Sequence, residues 1–327
     1  MILDIVLFII SLAAIIKGAD LMTDGAAAVA HRFGIPTMVI GMTIIAIGSS
    51  APEFVVSALA SFHGNTDMAI GNVVGSNIFN ILTIIGVTSF LAPITASPGN
   101  IRNDVPFVVL SSLVVAITAL DGVFASGAAN EISRSEGMLL LCMFAIFLSY
   151  TFAMAKGDGE DTNTSSLSDK VKNMKLWLSI VFIVGGLAAL ILGGNLLVNS
   201  ASSIAIQLGV SQSIIALTIV SIGTSLPELA ASAMAARKGD NAMALGNVVG
   251  SAVFNVFFVL GVSATIAPLS LGNITTIDVA TLVLASCLFW LFSRTHFEVK
   301  KWEGAILLIV QILYYIYLVT NATTEIN

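Results

Sequence analysis

The strongest constraint on the fold of this chain is a long apolar segment that occurs twice, each time with a glutamate inside it. The first copy runs from 41 to 61 as GMTIIAIGSSAPEFVVSALAS and continues from 69 to 87. The second begins at 216 as ALTIVSIGTSLPELAASAMAA and lies 175 positions later without a gap. Each glutamate, Glu53 or Glu228, lies in a run otherwise apolar enough to cross a bilayer. A carboxylate at that depth is costly, and by default it marks an ion or substrate pathway.

The composition places the whole chain in a membrane. Hydrophobic residues make up 57% of the 327 residues, charged residues make up 10%, and the mean hydropathy is +1.00. Soluble domains carry about 25% charged residues. The first apolar run lacks the basic start and the cleavage site of a signal peptide, so we interpret it as the first span. The expected surroundings are therefore a lipid bilayer, and nothing in the sequence indicates nucleic-acid binding.

The hydropathy pattern predicts an all-α integral membrane protein with ten transmembrane helices, at about 20 residues per span. One strongly polar segment, 156–175, is interpreted as a cytoplasmic linker between two five-helix halves, 1–155 and 176–327. The predicted spans are 2–30, 34–62, 68–92, 104–120, 136–155, 176–205, 210–235, 241–267, 276–293 and 303–320.

The positions of Lys and Arg predict the orientation, because these residues favour the cytoplasmic side. With both termini outside, nearly all of them fall in inner loops, and Arg134 falls in an outer loop. Lys17 falls within the first span, where Asp20 is a candidate ion-pair partner. Because each half has an odd number of spans, the halves enter the membrane from opposite sides and form inverted repeats. In transporters built this way, the substrate site lies near the midplane where the repeats meet.

A proline precedes each glutamate inside what would otherwise be a continuous helix. Proline lacks an amide hydrogen and clashes with the carbonyl group four residues back, so Pro52 and Pro227 predict free carbonyl oxygens at Gly48 and Gly223. Broken backbone at membrane depth is tolerated only where it is buried in protein or lines a cavity. Both breaks are therefore expected to face the protein interior, where a carbonyl oxygen can face a cation.

Further oxygen donors surround the glutamates in both copies. Residues four apart share a helical face, so each glutamate and each asparagine is expected to have a hydroxyl group one turn before it. Ca²⁺ takes about 6 to 8 oxygen ligands and suits such a set better than Mg²⁺, and no Cys or His cluster indicates zinc or copper. The pairs are Ser49 with Glu53, Thr224 with Glu228, Ser76 with Asn80 and Ser251 with Asn255, while Ser50 and Ser225 lie beside the breaks.

The charge of the two glutamates indicates a mechanism. Each bare carboxylate at mid-membrane costs about 2.5 to 3.5 kcal/mol or more. One divalent cation or two monovalent cations would neutralise Glu53 and Glu228 together. An empty site is therefore expected to resist the change between access states, which produces exchange and prevents leak.

The motifs GSSAPE with GNVVGSNIFN, and GTSLPE with GNVVGSAVFN, resemble the alpha-1 and alpha-2 repeats of the cation/calcium exchanger superfamily, most closely its prokaryotic sodium/calcium exchangers. The resemblance covers the whole chain. It implies a sodium/calcium antiporter of a prokaryotic cytoplasmic (inner) membrane, in which spans 1 and 6 slide against a bundle of spans 2, 3, 7 and 8. It implies a transporter and not an enzyme, with Ca²⁺ and Na⁺ as substrates and no cofactor. A monomer is the expected oligomeric state. The implied cation ligands are Glu53, Glu228, Asn80, Asn255, Ser49, Ser50, Thr224, Ser225, Ser76 and Ser251, with the backbone oxygens of Ala46 and Ser221.

The chain departs from the family pattern at Asn255, where many prokaryotic and potassium-dependent relatives carry aspartate. Two carboxylates instead of three make potassium co-transport less favoured. The copies also differ at Asn77, which is aligned with Ala252, and at Thr83, which is aligned with Phe258. The sequence offers no interpretation of these two differences.

Other paired residues receive structural interpretations. Asn72 and Asn247 lie near the starts of predicted spans and are interpreted as helix-start residues. Glycines in small-xxx-small patterns are expected to let helices approach closely. These glycines are Gly71, Gly75, Gly246 and Gly250.

Three alternatives stay open from the sequence. A proton/calcium exchanger, or an exchanger of another divalent cation, is close to the main interpretation, because a desolvated glutamate can bind a proton. A cation channel belongs to a different class, and no four-fold pore signature supports it. An intramembrane hydrolase needs a His or Lys base beside a serine, and neither copy has one at membrane depth.

Overall fold

The computed structural model describes residues 2–95, 97–120, 130–155, 168–208, 221–272, 274–295 and 297–324. In these ranges, eight helices are long and apolar enough to cross a membrane, and a pair of helices bent by 48° supplies a ninth crossing if it forms one span. The helices are α1 (Ile2–Phe33), α2 (Thr37–Ser49), α3 (Ala51–Phe62), α4 (Thr66–Leu91), α5 (Pro98–Ala119), α6 (Arg134–Ala155), α7 (Asp169–Lys172), α8 (Leu176–Gln207), α9 (Ser221–Thr224), α10 (Leu226–Arg237), α11 (Asn241–Ile266), α12 (Thr276–Arg294) and α13 (Lys301–Thr324).

Most predicted spans agree closely with these helices, which confirms a helical, multi-pass membrane protein. The largest difference is at α5, which begins at Pro98 and not at 104. Ser97 explains the earlier start, because its side chain accepts the amide hydrogen of Asn100 and caps the helix. The predicted seventh span is described only from Ser221 onward. Its first part, most of the linker and the loop at 121–129 lie outside the described residues.

The centre of the molecule consists of α4 and α11. The most apolar 18-residue stretch of each is 78% buried, whereas that of α1, α6, α8 and α13 is 22% buried. Both central helices contain a π-helical segment, Asn80–Ile84 in α4 and Phe254–Leu260 in α11. A third π-helical segment, Gly41–Ile45, lies in α2. Such segments interrupt the regular hydrogen-bond ladder and often occur at functional sites.

The two longest helices, α1 and α8, pack against each other in antiparallel directions. Each has 32 residues, so at about 1.5 Å per residue each is about 48 Å long and must tilt in a hydrocarbon core of about 30 Å. A Cβ atom added to Gly18 would lie 2.8 Å from the carbonyl oxygen of Gly186, and one added to Gly186 would lie 2.5 Å from that of Gly18. Glycine is therefore required on both helices at this crossing.

A second close crossing joins α2 to α11. A Cβ atom added to Gly246 would lie 2.4 Å from the carbonyl oxygen of Met38, and one added to Gly250 would lie 2.5 Å from that of Met42. The expected close approach is confirmed for these two glycines. It stays a prediction for Gly75, where a Cβ atom would meet no described atom within 4 Å, because the counterpart of this part of α2, residues 210–220, lies outside the described residues.

Two short antiparallel ladders join distant parts of the chain. Strand β1 (Ile94–Thr95) pairs with β4 (Glu298–Val299), and β2 (Glu131–Ile132) pairs with β3 (Leu269–Ser270). The loops containing β1 and β4 are both predicted to be cytoplasmic, and those containing β2 and β3 are both predicted to be external. Each ladder therefore joins the two chain halves on one predicted side of the membrane.

The charged residues of α1 pair with the end of α10. Lys17 Nζ lies 3.9 Å from Asp20, and its side chain is largely exposed. Lys238 Nζ lies closer, at 2.8 Å from Asp20 Oδ1 and 2.7 Å from Asp24 Oδ1. The two shorter ion pairs therefore join α1 to the end of α10. The sequence suggested instead an ion pair within the first span, between Lys17 and Asp20, and that contact is the longest of the three.

Candidate cation site

Both helices that contain a proline–glutamate motif break at the predicted position. Ser50 separates α2 from α3, and Ser225 separates α9 from α10. The two serines have nearly the same dihedral angles, with φ −83° and ψ 7° for Ser50 and φ −93° and ψ 6° for Ser225. Pro52 and Pro227 then lie in the first turn of the next helix. A missing amide hydrogen is tolerated there, because the first amide groups of a helix have no intrahelical acceptor.

The backbone oxygens beside the first break are less free than the sequence suggested. A backbone amide at the end of α2 donates to the carbonyl oxygen of Gly48, so the prediction of a free oxygen there is wrong. The carbonyl oxygen of Ala46 accepts the amide hydrogen of Ser50 at 3.0 Å. The hydroxyl group of Ser49 also lies 3.4 Å from this oxygen, so both lone pairs of the carbonyl group face a donor and a cation at Ala46 would displace the hydroxyl group.

Each glutamate lies in the first turn of the helix that follows the break. Glu53 is 0% exposed and Glu228 is 1% exposed, and the two carboxylates lie near enough to repel each other. The N-terminus of a helix carries a partial positive charge. This charge offsets part of the cost of burying each carboxylate, but it does not remove the repulsion between them.

The hydroxyl groups beside the breaks bind the glutamates of the opposite copy. Ser50 Oγ donates to Glu228 Oε1 at 2.8 Å, and Ser225 Oγ donates to Glu53 Oε1 at 3.3 Å. These crossed bonds hold the two breaks face to face. The predicted pairing of Ser49 with Glu53 is wrong, because the break ends their common helical face and Ser49 Oγ lies 3.4 Å from Asn247 Oδ1.

We call the predicted ligands that are buried around the two breaks the cluster. Several of its polar atoms have no hydrogen-bond partner in the part of the chain that the structure describes. They include Oε2 of both Glu53 and Glu228, Oδ1 of Asn255, both amide atoms of Asn80 and the hydroxyl group of Ser251. Each such atom costs about 1 to 3 kcal/mol, and folded proteins rarely leave many of them. Most of these atoms are oxygens, so the chemistry of the cluster fits a hard cation.

Hydrogen bonds bring Glu53, Glu228, Ser49, Ser50 and Ser225 together where the two breaks meet, and the predicted ligands on α4 and α11 are also buried. Thr224 ends α9 and is only partly buried. Ser221 begins α9, and its side chain lies outside the described residues. The buried members are Glu53, Glu228, Asn80, Asn255, Ser49, Ser50, Ser225, Ser76, Ser251 and Ala46.

Asn72 and Asn247 connect the central helices to the breaks. Asn247 Nδ2 donates to the carbonyl oxygen of Glu228 at 3.2 Å and to Ser232 Oγ at 2.8 Å. Asn72 makes the equivalent pair of bonds in the first copy, including one of 3.2 Å to the carbonyl oxygen of Glu53. Both asparagines lie well inside their helices, so their interpretation as helix-start residues is wrong. The signal that could have found them is their repetition 175 positions apart.

The two copies differ beside the π-helical segments. Phe258 packs against Phe54, Phe144 and Phe254, with ring centroids 5.3, 5.1 and 4.9 Å away. At the equivalent position, Thr83 has a buried hydroxyl group with no partner among the described residues. The π-helical segment of α11 therefore carries an aromatic group where that of α4 carries a hydroxyl group.

Comparison with known proteins identifies the family. Residues 3–153 and 178–321 match the family described as Sodium/calcium exchanger protein. The chain belongs to this family. The membership predicted from the duplicated motifs is therefore confirmed, and the family is one of membrane antiporters.

A solved structure and curated relatives agree with this assignment. The exchanger is 34% identical to the inner membrane protein YrbG of Escherichia coli (strain K12) over 88% of each chain. It is 30% identical to the sodium/calcium exchanger MaX1 of Methanosarcina acetivorans over 96% of this chain and 98% of that protein. Its fold matches that of the sodium-calcium exchanger NCX_Mj with a TM-score of 0.80 and 29% identity, over 97% of this chain and 99% of that chain. Family and fold are those of transporters and not of enzymes, and they do not support a channel.

We expect Asn247→Ala to weaken calcium binding by the exchanger about thirtyfold, because it removes two hydrogen bonds worth about 1 kcal/mol each. The first turn of α10 would lose its connection to α11, so Glu228 would be less well placed. Calcium binding to the purified protein measures this effect. Asn241→Ala is the control, since Asn241 lies on the same helix and donates to Pro93 and Thr95 at the exposed surface. Equal calcium affinity in the two variants would contradict the prediction.

Proposed function

We propose that the protein is a sodium/calcium antiporter that exchanges Na⁺ for Ca²⁺ at the buried cluster. The supporting observation is the pair of crossed hydroxyl–carboxylate bonds, which leaves Oε2 of Glu53 and Oε2 of Glu228 without partners in the described residues. Two buried carboxylates need two positive charges, and one Ca²⁺ or two Na⁺ supply them equally. Competition for the same carboxylates therefore couples the two ions.

The proposed ligands are oxygen atoms of both sequence copies. The carboxylates supply charge, and the amide and hydroxyl oxygens complete a coordination shell of the kind that Ca²⁺ prefers. Side-chain oxygens come from Glu53, Glu228, Asn80, Asn255, Ser49, Ser50, Thr224, Ser225, Ser76 and Ser251, and backbone oxygens come from Ala46 and Ser221.

The architecture in this proposal is ten transmembrane helices in two inverted five-helix repeats, 1–155 and 176–327, joined by the cytoplasmic linker 156–175. The reciprocal pairing of β1 with β4 and of β2 with β3 supports this arrangement. The reciprocal serine–glutamate bonds support it as well. The site then lies near the membrane midplane, where such repeats meet.

Alternating access in this proposal moves α1 and α8 together against the helices that hold the cluster. The two helices contact each other through glycine, and the most apolar 18-residue stretch of each is only 22% buried. The protein lies in a prokaryotic inner membrane with both termini outside. The positions of Lys and Arg support this orientation, and the name of the relative YrbG supports the location.

Radiolabelled calcium uptake into proteoliposomes tests the function. We expect uptake when the vesicles are loaded with Na⁺ and diluted into Na⁺-free buffer, and we expect none when K⁺ replaces Na⁺ inside. Uptake driven equally well by a pH gradient without Na⁺ would contradict sodium coupling and favour a proton/calcium exchanger. Calcium flux that needs no counter-ion at all would favour a channel.

A further inference from the structure

Asn77 is a residue at which the two sequence copies differ in chemistry. It lies on α4 and is 1% exposed, and its counterpart on α11 is Ala252. Asn77 Nδ2 donates to the carbonyl oxygen of Ala252 at 3.1 Å. Asn77 Oδ1 accepts a hydrogen bond from Asn255 Nδ2 at 3.2 Å. A relay of two hydrogen bonds thus runs from a backbone carbonyl group to a member of the cluster.

The relay determines which way the amide of Asn255 faces. A backbone carbonyl oxygen only accepts hydrogen bonds, so the group of Asn77 that faces Ala252 must be its NH₂ group. The oxygen of Asn77 then faces Asn255, and the NH₂ group of Asn255 must face that oxygen. The oxygen of Asn255 is left on the other side, where it has no partner among the described residues.

We propose that Asn77 is a positioning residue for cation binding, which holds Asn255 with its amide oxygen, and not its NH₂ group, toward the transported cation. This inference rests on the proposed function, because it requires a cation at the cluster. An NH₂ group facing a cation repels it, so an Asn255 that is free to turn presents the wrong atom part of the time. When the orientation of the Asn255 amide is fixed, the oxygen faces the site all the time, and no binding free energy is spent on turning the amide.

The first copy has no equivalent relay. Asn80 is the counterpart of Asn255, but the position that would fix it is Ala252, whose side chain makes no hydrogen bonds. Both amide atoms of Asn80 lack a partner in the described part of the chain. The cluster therefore has one amide with a fixed direction and one that the cation itself must turn.

The relay also explains why asparagine suits position 255. An aspartate there would place an oxygen against Oδ1 of Asn77. If Asn77 turned to donate to that aspartate, its own oxygen would face the carbonyl oxygen of Ala252. Either arrangement sets two acceptors against each other, so the relay favours asparagine over a charged aspartate.

Asn77→Ala is the first test. We expect the Ca²⁺ concentration for half-maximal transport to rise about fivefold, the size expected for one neutral hydrogen bond, while the maximal rate stays near that of the wild type. Calcium binding to the full-length purified protein should weaken by the same factor. Asn77→Ser, which is too short to contact both partners, should show the same loss and replaces Asn77→Ala if that variant does not fold. Unchanged calcium affinity would overturn the proposal.

The background Asn255→Asp separates positioning from a merely structural role. The two oxygens of an aspartate are equivalent, so nothing is left to orient. Asn77→Ala in that background should leave calcium affinity unchanged or improve it, because an opposed acceptor is removed. A residue that only ties α4 to α11 would weaken calcium binding equally in both backgrounds, and that result would overturn the proposal.

The design separates this inference from the proposed function. If the wild-type protein shows neither sodium-driven calcium uptake nor calcium binding, both the function and the inference are wrong. If the wild type exchanges calcium and Glu53→Gln abolishes the exchange, while Asn77→Ala changes nothing, only the inference about Asn77 is wrong.

Discussion

Glu53→Gln and Glu228→Gln are each expected to abolish calcium exchange. Glutamine has the size of glutamate and can still accept the hydroxyl hydrogen of the opposite serine, so the local geometry survives. The change removes one of the two charges that balance Ca²⁺. Removing one partner of a buried ion pair costs about 3 to 5 kcal/mol, which corresponds to a loss of more than about a hundredfold in calcium affinity. Sodium-driven calcium uptake into proteoliposomes measures the loss.

The same variants should fold at least as well as the wild type in the absence of calcium. They remove the repulsion between two buried carboxylates and the cost of burying one charge. Calcium should raise the melting temperature of the wild type by binding to the folded state, and it should not raise that of the variants. Glu136→Gln is the control, since Glu136 accepts hydrogen bonds from Ser133 at the start of α6 and lies outside the cluster. Normal exchange by either cluster variant would show that the site is assigned wrongly.

The helices could be predicted from sequence because the bilayer demands long apolar runs. The breaks at Ser50 and Ser225 could be predicted because proline removes a backbone donor at a known position. The π-helical segments, such as Asn80–Ile84, could not. A helix that is apolar on all sides has no alternation of apolar and polar faces. An extra residue in one turn therefore does not change the hydrophobic periodicity, and the sequence gives no indication of it.

The cluster could be predicted as a set of residue types but not as a set of contacts. Duplication and the cost of buried charge were enough to single out Glu53 and Glu228. Helical spacing predicted that Ser49 and Glu53 share one helical face. This prediction is wrong because the break at Ser50 lies between them. The bond between Asn77 and Asn255 joins residues 178 positions apart. Such a contact depends on how two helices pack, which single-sequence patterns do not contain.

Gly250→Val is expected to prevent stable folding. A Cβ atom at Gly250 would lie 2.5 Å from the carbonyl oxygen of Met42 and 2.7 Å from the Cβ atom of Ala46. These atoms belong to α2 close to its break, so the helix itself would have to move. Overpacking of this kind costs about 3 kcal/mol or more when backbone must shift. The folded protein should be lost, or its melting temperature should fall by about 5 °C or more.

Gly185→Val is the control, because Gly185 is exposed on α8 and its added Cβ atom would meet no described atom within 4 Å. Size-exclusion chromatography and thermal melting of both variants measure the difference, and we expect Gly185→Val to behave like the wild type. Equal stability of the two variants would mean that α2 and α11 do not cross as closely as the structure shows. Ser251 and Asn255 would then lose the helix crossing that places them beside the break, because both follow Gly250 on α11.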